Sequence, residues 1–261
     1  MSCRRPRCAG RPQQRVLMKN VFSCLISALA LVGIAHAGEL KPARHADFPR
    51  YTYALTWQPG FCSTGGGCLP GQSHEVKIGL HGLWASEPQS LIDQNVPVRQ
   101  WWAQGCSSFP HVTMVPALPD ALQQQLRQFM PQLQDDLQLH EYVKHAQCFG
   151  FPAQQFFATA LSMRQAAADS GFGHYLLEQA GQTRSREDLQ DAFAKTFGTD
   201  QRRSLQLQCG KDAQGRNVLT QFWFTLQADK LAAFPAAESF VNTPDGEYED
   251  SCAQPFLLPD W

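Results

Sequence analysis

The sequence predicts an α+β domain, with a central antiparallel β-sheet packed with several α-helices and stapled by disulfides. Three observations predict it. Segments of strand and helix character follow one another in irregular order, with a hairpin pattern near the end. The 261 residues are 43% hydrophobic and 17% charged, an ordinary globular composition with enough chain for one sizeable core. Six cysteines also remain once an N-terminal leader is set aside.

Residues 1–37 read as an export signal. Lys19 supplies the positive charge, Val21 to Ile34 the apolar stretch, and Ala35-His36-Ala37 a small-x-small cleavage site. Residues 38–261 then form a single domain. The Arg-rich stretch before Met18 is long for a signal, and Met18-Lys19-Asn20 would itself begin one of normal length, so Met18 is an alternative start. Removing the leader takes away six basic and no acidic residues, which leaves 16 against 23 and a net charge of −7. A field of that sign repels nucleic acid, so nucleic-acid binding has to rest on a local cationic cleft, not on a broad basic face. No apolar stretch of membrane-spanning length follows the leader, so no membrane anchor is expected.

The remaining cysteines are Cys62, Cys68, Cys106, Cys148, Cys209 and Cys252. An even number in an exported chain favours three disulfides, in any of 15 pairings. No Cys-x-x-Cys pair points to zinc.

In chain order, residues 50–58 are aromatic and β-branched and precede the breaker Pro59-Gly60, which predicts a strand. A Gly-rich loop is expected from Ser63 to Gly71. Glu75 to Trp84 predicts a second strand, with Val76, Ile78 and Leu80 on one face and Lys77, Gly79, His81 and Leu83 on the other. Pro119 to Leu139 carries helical spacing, kinked or split at Pro131, and His140 to Cys148 follows as a short helix. Ala153 to Ala168, Gly173 to Ala180 and Arg186 to Phe197 are further helices, the last opened by a Ser185/Asp188 capping box. Leu205 to Cys209 and Asn217 to Gln227 return to strand character around a turn at residues 210–216.

Ionisable groups concentrate in Gly79-Leu-His-Gly-Leu-Trp84 and His140-Glu-Tyr-Val-Lys-His-Ala-Gln-Cys148. On a helix His140, Lys144, Glu141 and His145 fall at about 0, 40, 100 and 140°, a shared face. The start His140-Glu141 is that of a zinc-protease His-Glu-x-x-His, but Lys144 stands where the second histidine belongs. RNA cleavage fits better. The 2′-hydroxyl attacks the neighbouring phosphorus if one group removes its proton and another protonates the departing 5′-oxygen, and two histidines serve both needs. Lys144 can offset phosphoryl charge, and Glu141 can hold a histidine or, when protonated, bond the phosphate.

At these residues the chain resembles the ribonuclease T2 family of secreted RNases. His-Gly-Leu-Trp at 81–84 is similar to the family's first active-site motif and His-Glu-x-x-Lys-His at 140–145 to its second, while Leu55-Thr-Trp-Gln-Pro-Gly-Phe-Cys62 resembles its first core strand. The resemblance implies a ribonuclease T2-like fold. It also implies that His81 and His145 are the general acid and base, in either order, that Glu141 and Lys144 polarise the phosphate, and that His140 binds it. Trp84 would stack on a base or else be a core tryptophan. The implied pairings are Cys62 with Cys68, Cys106 with Cys148, and Cys209 with Cys252. Departures are Tyr142 for tryptophan, Ala146 for glycine, Leu137-Gln138-Leu139 for an aromatic-Trp-acidic run, and Ala85-Ser86 for Pro-Asp, which leaves base preference open.

The expected protein is therefore a periplasmic or extracellular endoribonuclease, monomeric, with single-stranded RNA and not DNA as substrate, and with no cofactor and no metal. The alternative is a catalytically silent RNA-binding or interaction module on the same scaffold. Trp101-Trp102 would line a subsite or pack against the core. His45, His74, His111 and His174 are expected to be structural or on the surface.

Overall fold

The structure is a computed structural model and describes residues 40–65, 68–114, 117–131, 136–247, 250–252 and 255–261. The expected leader over residues 1–37 lies outside the described residues, as do residues 132–135 of the expected kinked helix.

Among the described residues, six strands form one sheet: β1 (Arg50–Trp57), β2 (Ile78–Ala85), β3 (Thr183–Arg184), β4 (Leu205–Lys211), β5 (Asn217–Gln227) and β6 (Phe256–Leu257). β1 runs antiparallel between β2 and β5, and β4 pairs antiparallel with β5. The departure from the expected antiparallel sheet is a parallel pairing of β5 with β6 at Val218 and Leu257. Among the described residues, eight α-helices accompany it: α1 (Gln58–Ser63), α2 (Gln89–Ile92), α3 (Val98–Gln104), α4 (Asp120–Phe129), α5 (Leu137–His145), α6 (Ala153–Ala168), α7 (Gly171–Glu178) and α8 (Arg186–Phe197).

Alternation along β1 places Tyr51, Tyr53, Leu55 and Trp57 on one face, joined by Phe222, Phe224 and Leu226 of β5, and all of them are buried. Three helices cover this face. The Tyr53 hydroxyl donates to the Ala160 carbonyl of α6 at 3.0 Å, while Phe172 of α7 and Phe193 of α8 pack on Phe222 and Phe224. Each buried aromatic contributes roughly 1.5–3 kcal/mol by leaving water. The opposite face carries Thr52, Ala54, Thr56, Gln206, Gln221 and Trp223, and it is the face left for a site.

Helices α6 and α8 and strand β5 have the expected ends; on α8 the Ser185 hydroxyl and Asp188 carboxylate form the expected capping box. Elsewhere the boundaries differ. β1 stops at Trp57 because Pro59 opens α1, where a missing N–H leaves no helical bond unmade. β2 begins at Ile78 instead of Glu75. α4 ends at Phe129, since Met130 precedes Pro131 and is held outside the helical region, φ −124° and ψ 58°. α5 starts at Leu137, ahead of the expected His140, because the Asp136 carboxylate caps it by accepting from Leu139 N at 3.1 Å. It ends at His145, before a 3₁₀ turn at Gln147–Phe149. Ser170 caps α7 in the same way, which moves that helix to Gly171–Glu178. β4 continues two residues beyond Cys209, to Lys211.

Candidate active site

The histidine of the first motif stands outside the regular ladder. β1 and β2 pair Ala54 with Gly82 and then Leu55 with Leu80, so His81 is the extra residue of a β-bulge. This corrects the expected alternation: Leu83 lies opposite Tyr53 and shares the core face with Leu80, not a face with His81. One inserted residue resets the two-residue period, which a strict alternation has no means of registering. Gly82 and Trp84 are left on the open face. A Cβ on Gly82 would collide with Glu141 Oε2 and Trp84 Nε1, so the second motif packs against the first only through a glycine.

The second set arrives on α5. Its far end is tied by the bridge from Cys148 to Cys106, and Gly105, at φ 51°, lets the turn after α3 lie on the backbone of Lys144. All three disulfides have the pairings that the resemblance implies: Cys62–Cys68, Cys106–Cys148 and Cys209–Cys252. On β2, the buried Arg164 of α6 donates to the Ile78 carbonyl at 2.6 and 2.8 Å, which fixes the strand leading to His81.

The six expected residues His81, Trp84, His140, Glu141, Lys144 and His145 come together around a cavity of about 260 Å³, which Trp102 and Trp223 also line. A larger cavity of about 390 Å³ beside β4 and α8 holds none of the histidines, and its Arg186 and Arg203 are paired with Asp250 and Asp245. Trp223 belongs to neither motif. Its signal in the sequence is an indole among the outward polar positions Gln221, Thr225 and Gln227 of β5.

Glu141 is 1% exposed; Oε2 accepts the Trp84 indole N–H at 2.6 Å and Oε1 faces His81 Nε2 at 3.7 Å. Burial pushes its carboxyl up to about 8, against the opposing effects of the Trp84 bond and the Lys144 charge. Burial, with His140 nearby, lowers His81 to about 4, although 24% of that side chain is open to solvent. His145 is held well below its ordinary value by burial, then by Lys144, His140 and His81, and His140 is lowered by burial and Lys144. The rings of His81 and His145 both approach Trp84, with centroids 5.3 and 5.4 Å away.

The other histidines lie away from this cavity: His45 stacks on Phe109, His74 on Trp261, His111 Nδ1 meets the Phe109 carbonyl, and His174 is exposed. Ligand atoms of His140, Glu141 and His145 lie within 4.8 Å of one another, so these three residues could hold a cation.

These groups, gathered at the open face of such a sheet, belong to a chain of the ribonuclease T2 family, a class of RNA-cleaving enzymes. Residues 48–236 match that family's profile, and the chain belongs to it. Ribonuclease I of Escherichia coli (strain K12) is 29% identical over 254 residues, covering 86% of this chain and 91% of that protein. Among solved structures, RNase NT in complex with 5′-AMP superposes with a TM-score of 0.57 at 18% identity, over 82% of this chain and 100% of that one. Ribonuclease MC1 from the seeds of bitter gourd gives 0.54 at 19%, over 81% and 100%. These two likenesses are of fold.

Proposed function

We propose that the chain is an endoribonuclease that cleaves single-stranded RNA by transphosphorylation, through a 2′,3′-cyclic phosphate to 3′-phosphate ends, with broad base tolerance and no metal. The observation that carries this is the placement of His81 and His145 in one cavity, each ring against Trp84, beside Lys144 and a carboxyl that stays protonated below about pH 8. One imidazole takes the proton of the 2′-hydroxyl as that oxygen bonds to phosphorus. The other protonates the 5′-oxygen as the P–O5′ bond breaks. The roles then reverse: water adds to phosphorus, the P–O2′ bond opens and a 3′-phosphate leaves.

Burial keeps both imidazoles neutral on their own. A phosphodiester brings negative charge that favours the protonated form, so substrate binding itself loads the acid. Lys144 offsets charge on the phosphoryl oxygens, protonated Glu141 donates a hydrogen bond to one of them, and the exposed His140 binds phosphate at the mouth. Trp84 places Glu141 through its indole N–H and presents its small open portion to the substrate. Lys144 already depresses His140 and His145, and the same charge opposes a cation among His140, Glu141 and His145, which supports metal-free cleavage.

DNA lacks the attacking hydroxyl and is excluded as substrate. Removal of residues 1–37 would release residues 38–261 as a single monomeric catalytic domain in the periplasm or medium. Three disulfides fit such an oxidising compartment, and no described helix is long and apolar enough to cross a membrane.

The test is to incubate the oxidised mature protein and His145→Ala with single-stranded RNA in EDTA near about pH 6 and identify the product ends. Cyclic phosphate from the wild type and none from the variant is the expected result. RNA left intact by both would return the chain to an RNA-binding module, and cleavage that EDTA abolishes would sink the metal-free mechanism.

A further inference from the structure

We propose that Arg164, a buried cation with no part in the chemistry, is the positioning residue that holds His81 in place. The proposal rests on the ribonuclease function above and names what keeps one of its two proton-transfer groups on target.

His81 occupies a weak point of the sheet. Among the described residues β2 is an edge strand paired with β1, and the bulge interrupts that single ladder at His81 itself. Alternate residues of an edge strand turn their backbone groups away from the sheet. Lys77 turns inward, its carbonyl accepting from Gln58 N at 2.8 Å, so the carbonyl of the next residue, Ile78, points outward. That carbonyl is where Arg164 acts: Nε and Nη2 both donate to it, at 2.8 and 2.6 Å. Three residues beyond His81, the Trp84 indole is bound to Glu141 of α5. The histidine therefore stands midway between two side-chain tethers, at Ile78 and Trp84, which take over where the ladder is interrupted.

The guanidinium is costly to keep there. It is 8% exposed, and among the described residues no carboxylate meets it directly. Around it lie the Phe129 ring of α4, 4.2 Å away, and Gln165 Oε1, which accepts from Nη1 at 3.1 Å. The Asp169 carboxylate lies beyond that amide and accepts from Gln165 Nε2 at 2.8 Å. A methionine of similar length would fill the same space without the desolvation cost, since buried ions commonly stabilise a fold no better than apolar residues of their volume. What an apolar side chain lacks is the pair of donors for Ile78. Helix α6, which carries Arg164, is itself fastened to β1 by the bond from the Tyr53 hydroxyl to the Ala160 carbonyl, so the tether runs from fixed ground.

The test is a mutant cycle. Arg164→Met, Arg164→Lys, His81→Ala and the double variant Arg164→Met/His81→Ala are assayed on single-stranded RNA, and urea unfolding records the stability of each. Arg164→Met is expected to lose roughly 10- to 100-fold in kcat with KM within about threefold of wild type, because a displaced proton-transfer group slows the chemistry and leaves phosphate binding intact. Arg164→Lys, which keeps the charge and one donor, should recover part of the loss. In the His81→Ala background Arg164→Met should cost nothing further, since the group it positions is gone. A further loss of the same factor in that background means that Arg164 supports the fold at large and overturns the proposal, as does a wild-type kcat in Arg164→Met. Should Arg164→Met fail to fold, the same cycle run with Arg164→Lys decides between these outcomes. A wild-type chain that leaves RNA intact fails the ribonuclease function itself, a distinct result.

Discussion

Burial lifts the Glu141 carboxyl to about 8 and lowers His81 to about 4, so near about pH 6 their 3.7 Å contact joins two neutral groups. Glutamine imitates that state. Glu141→Gln should keep an acceptor for the Trp84 N–H and hold kcat/KM within about tenfold of wild type near about pH 6. Glu141→Ala leaves a buried donor without its partner and should lose about 100-fold or more. Equal kinetics for the two variants would count against a protonated Glu141. If the proposed mechanism holds, the two histidines set the profile of kcat/KM against pH. Its acid limb marks deprotonation of the base and its alkaline limb loss of the acid's proton. Because burial lowers both imidazoles, the bell should centre on the acid side of neutrality, and an optimum above about pH 7.5 would contradict that assignment.

At the scale of elements, α5 depends on its neighbours, because its C-terminal end is held by the Cys106–Cys148 bridge. Closing a loop of 42 residues' separation restricts the unfolded chain by about 4 kcal/mol in the chain-entropy view. The double variant Cys106→Ser/Cys148→Ser should lose stability of that order in denaturant unfolding. It should also lose more activity than Cys209→Ser/Cys252→Ser, whose bridge spans a similar separation away from the histidines. Equal losses of activity would show that the bridge does not position α5. Both motifs and all six candidate residues were legible in the sequence because their chemistry sits in contiguous segments. α8 was legible through Ser185 and Asp188, and β5 through its alternation. The start of α5 was missed because a cap at Asp136 leaves no apolar period to detect. β3 and β6, two residues each, exist only through tertiary pairing. Trp223 lies 78 positions from His145 in the chain, and only the β1–β5 pairing carries it to the site.

For the whole molecule, the same buried groups make stability depend on pH in two windows. Glu141 has a folded value raised above its ordinary 4.5, so its contribution is fully present below that and is lost as pH rises to about 8. His81 has a folded value below its ordinary 6.5, so its contribution is present above 6.5 and is lost as pH falls to about 4. Between about pH 5 and 8.5, wild type should therefore lose up to a few kcal/mol from Glu141, a slope that Glu141→Gln should flatten in urea unfolding. Parallel curves for the two proteins would refute the buried, protonated carboxyl. The bulge in β2 has a different consequence. Leu80 and Gly82 already pair with adjacent residues of β1, so a chain from which His81 is excised has an uninterrupted ladder with every remaining side chain on its present face. Such a deletion should fold at least as stably as the parent and cleave nothing. The proposed catalytic His81 is thus a covalent surplus to the scaffold, a residue whose place in the chain the β1–β2 ladder does not require.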